Sequence, residues 1–255
     1  MLGVMNAKNK KVRKKQYEDL LKVTHKTLNY SNKAISLLAA EPYKYFSLTK
    51  TAQDIAEELK EIIRLTSKVI DQTIRRVIHG ESVPADEKLF SIFEPHTDII
   101  IKDRRDTFYG HKVCLSGGAS NLITDCLILD GNPADADLTE QMLDRHETIY
   151  GHYPLKVALD GGFASKTNLE SAKGKGIKDV CFAKKRGLKE EEMCRSIWVY
   201  KRLRRFRAGI ESGISWLKRC FGFTRCTWKS LRSFKSYVWA SIVSANLLTL
   251  VRNGA

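Results

Sequence analysis

The N-terminal part of the chain contains two long stretches in which apolar residues recur every three or four positions. This spacing places them on one face of an α-helix and predicts helices over residues 8–40 and 47–80. In the second stretch the apolar face consists of Ile55, Leu59, Ile62, Ile63, Val69, Ile70, Ile74 and Val77. Between the stretches, Glu41-Pro42-Tyr43 breaks the pattern, because proline cannot occupy a helix interior. The pattern therefore predicts a long antiparallel helical hairpin.

From about residue 90 the pattern changes to short apolar or β-branched runs. Two of them, His111–Leu115 and Leu122–Leu129, flank a Ser-Gly-Gly-Ala-Ser segment, which predicts a β-hairpin. The elements predicted after it are a helix at 135–149, a strand at 157–160, a helix at 166–174, a strand at 180–183, a basic helix at about 195–220 and an apolar helix at 237–251. Strands that alternate with helices in this way indicate a mixed α/β fold.

Charge adds a partner class to this picture. The 255 residues include 44 Lys and Arg against 29 Asp and Glu, which gives a formal net charge of +15. Such an excess favours a polyanionic partner, either nucleic acid or an acidic membrane surface, although a well-solvated basic protein is the alternative. The first helix begins with a basic run, which is typical of a solvated face and has DNA contact as its alternative. The run contains Lys8, Lys10, Lys11, Arg13, Lys14 and Lys15.

Targeting signals and metal-finger motifs are not recognisable in the sequence. No apolar run approaches the ~20 residues that span a bilayer, and the basic N-terminus lacks the apolar stretch of a signal peptide. The six cysteines form no CxxC pair, which argues against a zinc site. We therefore expect a cytoplasmic protein with reduced cysteines and no membrane partner.

Two carboxylates are the candidates for chemistry. Asp160 ends an apolar strand and precedes two glycines, a position at which α/β folds place functional side chains and also simple turns. Glu211 lies on the basic helix with Arg207 four residues before it and Lys218 seven after it, so that the three lie within roughly 40° on a helical wheel. A surface ladder of ion pairs explains this second pattern equally well.

Taken together, the motifs resemble those of bacterial insertion-sequence DDE transposases. Asp160-Gly161-Gly162-Phe163 is similar to the D-x-G-F/Y segment of that family, and Arg207-x3-Glu211-x6-Lys218 is similar to its R-x3-E-x6-K signature. Arg204 stands where the signature usually has Tyr.

Further segments extend the resemblance over most of the chain. Tyr109–Val113 resembles the family's G-x-K-V strand, and Gly131–Asp135 resembles the loop before its first core helix. Phe93–Asp98 and Phe206–Glu211 are similar, more narrowly, to the ISNCY group of these transposases.

The resemblance implies an RNase H-like fold in which three carboxylates hold two Mg²⁺ ions and cleave and transfer DNA strands. Asp160 and Glu211 would be two of the three. The DNA phosphates would be contacted by Arg207, Lys218, Arg204, Lys184, Lys185, Arg202 and Arg205. The partners implied are double-stranded DNA and a second copy of the chain or a full-length transposase. The protein would work in the bacterial cytoplasm, associated with the nucleoid.

The third carboxylate has no evident place in the sequence. The family's first core strand carries it, whereas Asp98, Asp103 and Asp106 lie in loop-like sequence and no strand is predicted before Gly110. We therefore expect a helical, insertion-like region at 1–90 and, at 91–255, a partial RNase H-like core that lacks its central first strand. A non-catalytic remnant that binds DNA or inhibits a full-length transposase is one alternative, and a different RNase H-like nuclease, such as a resolvase, is another.

Overall fold

The structure is a computed structural model that describes residues 9–40, 46–102 and 106–254. Lys8, Glu41-Pro42-Tyr43 and Asp103, on which sequence predictions were made, lie outside the described residues. By compactness the chain divides into two units, Met1–Ile99 and Ile100–Ala255. The functional division predicted at 1–90 and 91–255 stays a prediction.

The first unit is built on two long helices, which confirms the predicted pair. They are α1, Lys10–Ala40, and α2, Phe46–Thr73, and a π-helical segment, Ile74–His79, continues α2. The helices are antiparallel, since the Nζ atom of Lys14 donates a hydrogen bond to the carbonyl oxygen of Ile78 at 3.2 Å. Gly80 ends the π segment with a φ of 74°, a value that favours glycine.

The strands of the described residues form three two-stranded sheets, β1–β2, β3–β4 and β5–β6. Their bounds are β1 Asp98–Lys102, β2 Asp106–Gly110, β3 Val113–Gly117, β4 Ile123–Ile128, β5 Lys156–Leu159 and β6 Asp179–Phe182. The predicted hairpin is confirmed as the antiparallel pair β3–β4. The pair β5–β6 is parallel, with Leu159 opposite Phe182.

The strands β1 and β2 correct the sequence analysis. The prediction that no strand precedes Gly110 was wrong, because Asp98 begins β1 and Asp106 begins β2. Three consecutive isoleucines, Ile99–Ile101, give β1 the β-branched composition that favours an extended chain. The run was too short, and its neighbours too polar, for the sequence pattern to predict a strand.

The helices after β4 alternate with the strands in the predicted order. They are α3 Thr139–Tyr150, α4 Lys166–Gly174, α5 Glu190–Met193, α6 Ile197–Cys220 and α7 Leu231–Arg252. Short 3₁₀ turns at Asp135–Leu138 and Gly161–Phe163 precede α3 and α4. The fold of the second unit is therefore mixed α/β with small sheets.

Helix α6 packs against the strand pairs β3–β4 and β5–β6. Its first half contributes Tyr200, which is buried in a core with Val180 and Phe182 of β6. Its second half contributes Leu217, which is buried with Cys126 of β4. A single helix therefore contributes buried side chains to the cores under both sheets.

Helix α7 closes the second core from its other side. Val238, Ile242 and Ala245 are buried on one face of α7. The side chain of Asn246 accepts a hydrogen bond from the Ile123 amide at 2.9 Å and donates one to the Ile123 carbonyl at 2.8 Å. Among the described residues, α7 is the one helix whose length and composition would allow it to cross a membrane.

Candidate active site

Asp160 stands directly after β5, as the sequence pattern predicts. It caps the 3₁₀ turn Gly161–Phe163, and its Oδ1 atom accepts a hydrogen bond from the Gly161 amide at 2.5 Å. The side chain nevertheless remains 62% exposed. The turn therefore holds the carboxylate at the C-terminal edge of the strand pair without covering it.

The two glycines after Asp160 are required by close neighbours. A Cβ atom on Gly161 would lie 2.8 Å from Cγ of Lys184, and one on Gly162 would lie 2.2 Å from Oδ2 of Asp135. Rotation of the Lys184 side chain would move its Cγ but not its Cβ, which lies 2.9 Å from the same point. The Gly162 contact leaves less freedom, because Asp135 is held from its other side.

The group that holds Asp135 is Lys112. Its Nζ atom lies 2.6 Å from Oδ1 of Asp135 and donates a hydrogen bond to the Pro133 carbonyl at 2.7 Å. Lys112 therefore joins the segment Tyr109–Val113 to the segment Gly131–Asp135, and Asp135 joins both to the glycine turn. Lys112 and Asp135 had no predicted role, because nothing local in the sequence says that a lysine and an aspartate so far apart will meet.

Arg207 joins the two candidate carboxylates. Its Nη2 atom donates a hydrogen bond to Oδ1 of Asp160 at 3.1 Å and another to Oε1 of Glu211. Arg207 is largely covered, with 18% of its side chain exposed, whereas Glu211 is 58% exposed. Because one nitrogen bonds to both carboxylates, the two oxygens lie within roughly 6 Å, about twice the length of a hydrogen bond.

This geometry bears on the two interpretations of the pattern on α6, a surface ladder of ion pairs and a functional carboxylate. Arg207 and Glu211 do form an ion pair one turn apart on α6, as a surface ladder requires. Arg207 also reaches Asp160 on another element, which a simple surface ladder does not explain. Glu211 therefore belongs to a cluster that spans α6 and the end of β5.

The basic residues predicted to contact DNA fall into two groups. Lys184, Arg204, Arg205 and Lys218 are exposed. Lys185 and Arg202 are exposed as well, but each has a partner within the chain. Lys185 lies 2.6 Å from Oε1 of Glu190, and the guanidinium of Arg202 lies 5.3 Å from the centre of the Trp198 ring. A role in DNA contact stays a prediction for all six and for Arg207.

Two further aspartates of the second unit belong to its interior. Asp125 is buried in β4 and bonded by Arg145, with distances of 2.6 and 2.7 Å. Asp179 is fully buried at the start of β6 and bonded by Arg195. Burial raises the pKa of each carboxyl, but the arginine outweighs it and leaves both pKa values below the usual range. Neither carboxylate is available to a ligand.

The donor set near Asp160 suits a hard cation only in part. Magnesium prefers carboxylate oxygens, and Asp160 and Glu211 are exposed carboxylates that already share one cationic partner. Within 9–40, 46–102 and 106–254, however, no group of three or more His, Cys, Asp or Glu residues is placed to hold a metal ion. The strand-borne Asp98 and Asp106 therefore do not supply a complete site there.

Comparison with known families identifies this arrangement. Residues 81–247 match the family model described as the transposase DDE domain, which spans more than half of the chain. No curated protein and no solved structure matches the chain. The match covers the strand pairs, Asp160 and Glu211. Assignment to the ISNCY group stays a prediction. The chain belongs to the transposase DDE domain family, consistent with an insertion-sequence DDE transposase.

Proposed function

We propose that the chain carries the metal-binding part of a transposase that cleaves and transfers DNA strands at insertion-sequence ends. The observation that carries the proposal is the cluster of Asp160, Arg207 and Glu211. It brings two exposed carboxylates together at the C-terminal edge of a parallel strand pair, where α/β folds place their active sites. Family membership supports the same chemistry, since DDE transposases act on DNA and generally use a divalent metal.

Asp160 and Glu211 would be the protein's ligands to Mg²⁺. A bound pair of such ions would activate the attacking oxygen and stabilise the leaving oxygen of a phosphodiester. The glycine turn fixes Asp160, because Gly161 donates its amide to the carboxylate and Gly162 packs against Asp135. Glu211 is positioned by the helix and by Arg207. Arg207 offsets the repulsion between the two carboxylates while no cation lies between them.

The exposed basic side chains near the cluster would hold the DNA. Lys184 lies against Gly161, next to Asp160. Arg204 and Lys218 lie on α6, the helix that carries Glu211. Lysine and arginine on phosphates fix the position of a duplex without reading its sequence. Recognition of the insertion-sequence ends would therefore depend on contacts to the bases.

An RNase H-like core is the architecture that we infer for the second unit. The antiparallel pair β3–β4 and the parallel pair β5–β6 are separate sheets, and each shares a buried core with α6. A mixed sheet without its central strand would consist of two such pieces. The expectation that this strand, with the third carboxylate, is not part of the residues at hand stays a prediction.

A second function deserves equal weight because no third carboxylate completes the site within the described residues. A chain with two of three ligands should bind Mg²⁺ weakly and cleave DNA poorly. It would then act as a DNA-binding or inhibitory partner of a full-length transposase in the bacterial cytoplasm, associated with the nucleoid. Pairing with a second copy of the chain is the other assembly that we propose.

The experiment is a binding and cleavage assay on labelled duplex DNA that carries the ends of an insertion sequence. We expect binding that weakens with salt, and no strand cleavage in Mg²⁺ by this chain alone. Absence of DNA binding at low salt would contradict both functions. Robust cleavage that Asp160→Asn abolishes, and that the exposed helix variant Glu170→Gln leaves intact, would overturn the incomplete-site account and establish an active enzyme.

A further inference from the structure

Five lysines of α1 form one straight stripe on the surface of the first unit. Their spacings alternate between four and seven residues, and at 100° per residue they fall within about 60° of one another. All are exposed, and they are Lys11, Lys15, Lys22, Lys26 and Lys33. We call this set the lysine stripe.

The lysine stripe lies on the side of α1 that faces away from α2. The half-buried positions of α1 include Leu21, Leu28 and Leu38, which lie on the opposite side of the helical wheel. Two acidic residues, Asp19 and Glu18, lie beside the stripe, one on each side of it. The carboxylate of Asp19 lies 3.6 Å from the Nζ atom of Lys22, and both side chains are mostly exposed. An exposed pair of this kind neutralises little of the stripe.

The charge of α1 also differs from that of the helix beside it. Helix α1 has eight Lys and Arg against two acidic residues, a net charge of +6. Helix α2 has four Lys and Arg against five acidic residues, a net charge of −1. The excess is therefore a property of α1 and not of the hairpin as a whole.

We propose that the lysine stripe binds the phosphate backbone of duplex DNA, as a contact surface additional to the carboxylate cluster. The proposal rests on the proposed function, since it assumes that the chain acts on DNA. From Lys11 to Lys33 the helix rises about 33 Å at ~1.5 Å per residue. One turn of B-form DNA has nearly the same length, about 34 Å. A straight row of lysines contacts phosphates as point charges and carries no base specificity.

An acidic membrane surface is the occupant that these features favour less. A membrane-surface helix buries a broad apolar face in the lipid. Helix α1 packs against α2. Its exposed apolar residues are Leu20 and a row about 40° wide beside the stripe, which consists of Val12, Val23, Tyr30 and Leu37. Binding to acidic vesicles is therefore the competing outcome of the test.

The test compares two triple variants of the full chain that change the same charge on the same hairpin. Lys15→Gln, Lys22→Gln and Lys26→Gln neutralise the stripe, and Lys10→Gln, Lys60→Gln and Lys68→Gln neutralise exposed lysines outside it. Affinity for a labelled duplex is measured over a range of salt concentrations. Loss of three phosphate contacts should make the negative slope of log K against log salt shallower by about 2.7 and weaken binding at least tenfold. The control triple should keep the slope of the unmodified protein.

Further variants and measurements distinguish the possible causes of a change in binding. The corresponding Lys→Arg triple should retain binding, and circular dichroism should show equal helix content for all variants. An unchanged slope in the stripe variant, while Arg204→Gln and Lys218→Gln weaken binding, would overturn the stripe and leave the proposed function standing. Loss of binding to phosphatidylserine vesicles with an unchanged DNA slope would overturn it in favour of a membrane contact. No DNA binding by the unmodified chain would contradict the proposed function itself.

Discussion

The two ends of the parallel pair β5–β6 each carry an aspartate bonded to an arginine, in opposite surroundings. Asp179, where β6 begins, is fully buried and accepts hydrogen bonds from the backbone amide and the guanidinium of Arg195. Asp160, where β5 ends, is mostly exposed and shares its arginine with Glu211. The first carboxylate is saturated by the fold, whereas the second retains oxygen atoms that face solvent.

The exposure of the carboxylate and its number of donors separate structural from functional charge in this protein. A buried carboxylate with a full set of donors contributes to stability and can offer nothing to a ligand. A carboxylate held by one turn amide and one shared guanidinium contributes little to stability and can exchange its partner for a cation.

Removal of Arg195 should give the largest loss of stability. Arg195→Ala leaves the buried carboxylate of Asp179 with a backbone amide but no guanidinium. Loss of hydrogen bonds to a charged group should lower the free energy of unfolding by about 2–3 kcal/mol. Urea denaturation measures the change, and the exposed Arg205→Ala is the control, expected within about 0.5 kcal/mol of the unmodified protein. Equal stability of both variants would contradict a structural role for the pair.

The same pair should make stability depend on acid. The pKa of Asp179 lies below its usual value in the folded protein, because Arg195 outweighs the effect of burial. Its contribution is therefore complete above the unfolded pKa of about 3.9 and is lost as pH falls through the lower folded value. Unfolding measured between pH 6 and 3 should show a shallower acid loss for Arg195→Ala than for the unmodified protein. Parallel curves would show that Asp179 is not the group responsible.

Substitution of Gly162 should cost somewhat less and should act at the other end of the pair. The Cβ of Gly162→Ala would lie 2.2 Å from Oδ2 of Asp135, which Lys112 holds in place. Overpacking of this kind costs about 1–3 kcal/mol. The control, Gly213→Ala, has open space in the middle of α6 and should raise stability by about 0.5–1 kcal/mol. Thermal melts of both variants measure the difference, and a neutral Gly162→Ala would mean that Asp135 does not constrain the turn.

Substitution of Asp160 should have the smallest effect on stability. The carboxylate that Asp160→Asn removes is mostly exposed, and Arg207 keeps Glu211 as a partner. The free energy of unfolding should therefore change by less than about 0.5 kcal/mol. A loss comparable to that of Arg195→Ala in the same denaturation experiment would show that the cluster is a structural ion-pair network.

The mixed α/β class, most of the elements after residue 110 and the positions of Asp160 and Glu211 on them were accessible from the sequence. Apolar runs bounded by glycines located β5 and Asp160, and helical periodicity located α6 with Arg207, Glu211 and Lys218 on one face. Short elements were harder, as with β1, whose three isoleucines are flanked by charge. The links Lys112–Asp135 and Arg195–Asp179 could not be predicted, because each depends on how separate elements pack and leaves no local pattern.

The central claim is that Asp160 and Glu211 jointly hold a divalent cation, and titration with Mn²⁺ tests it most directly. Calorimetry or the paramagnetic signal of bound Mn²⁺ gives the affinity without any need for DNA cleavage. We expect weak binding that Mg²⁺ displaces, a loss of at least about tenfold in Asp160→Asn and in Glu211→Gln, since both ligands contribute, and no change in Glu170→Gln. Equal Mn²⁺ affinity in all four proteins would contradict the assignment of this pair as the metal site.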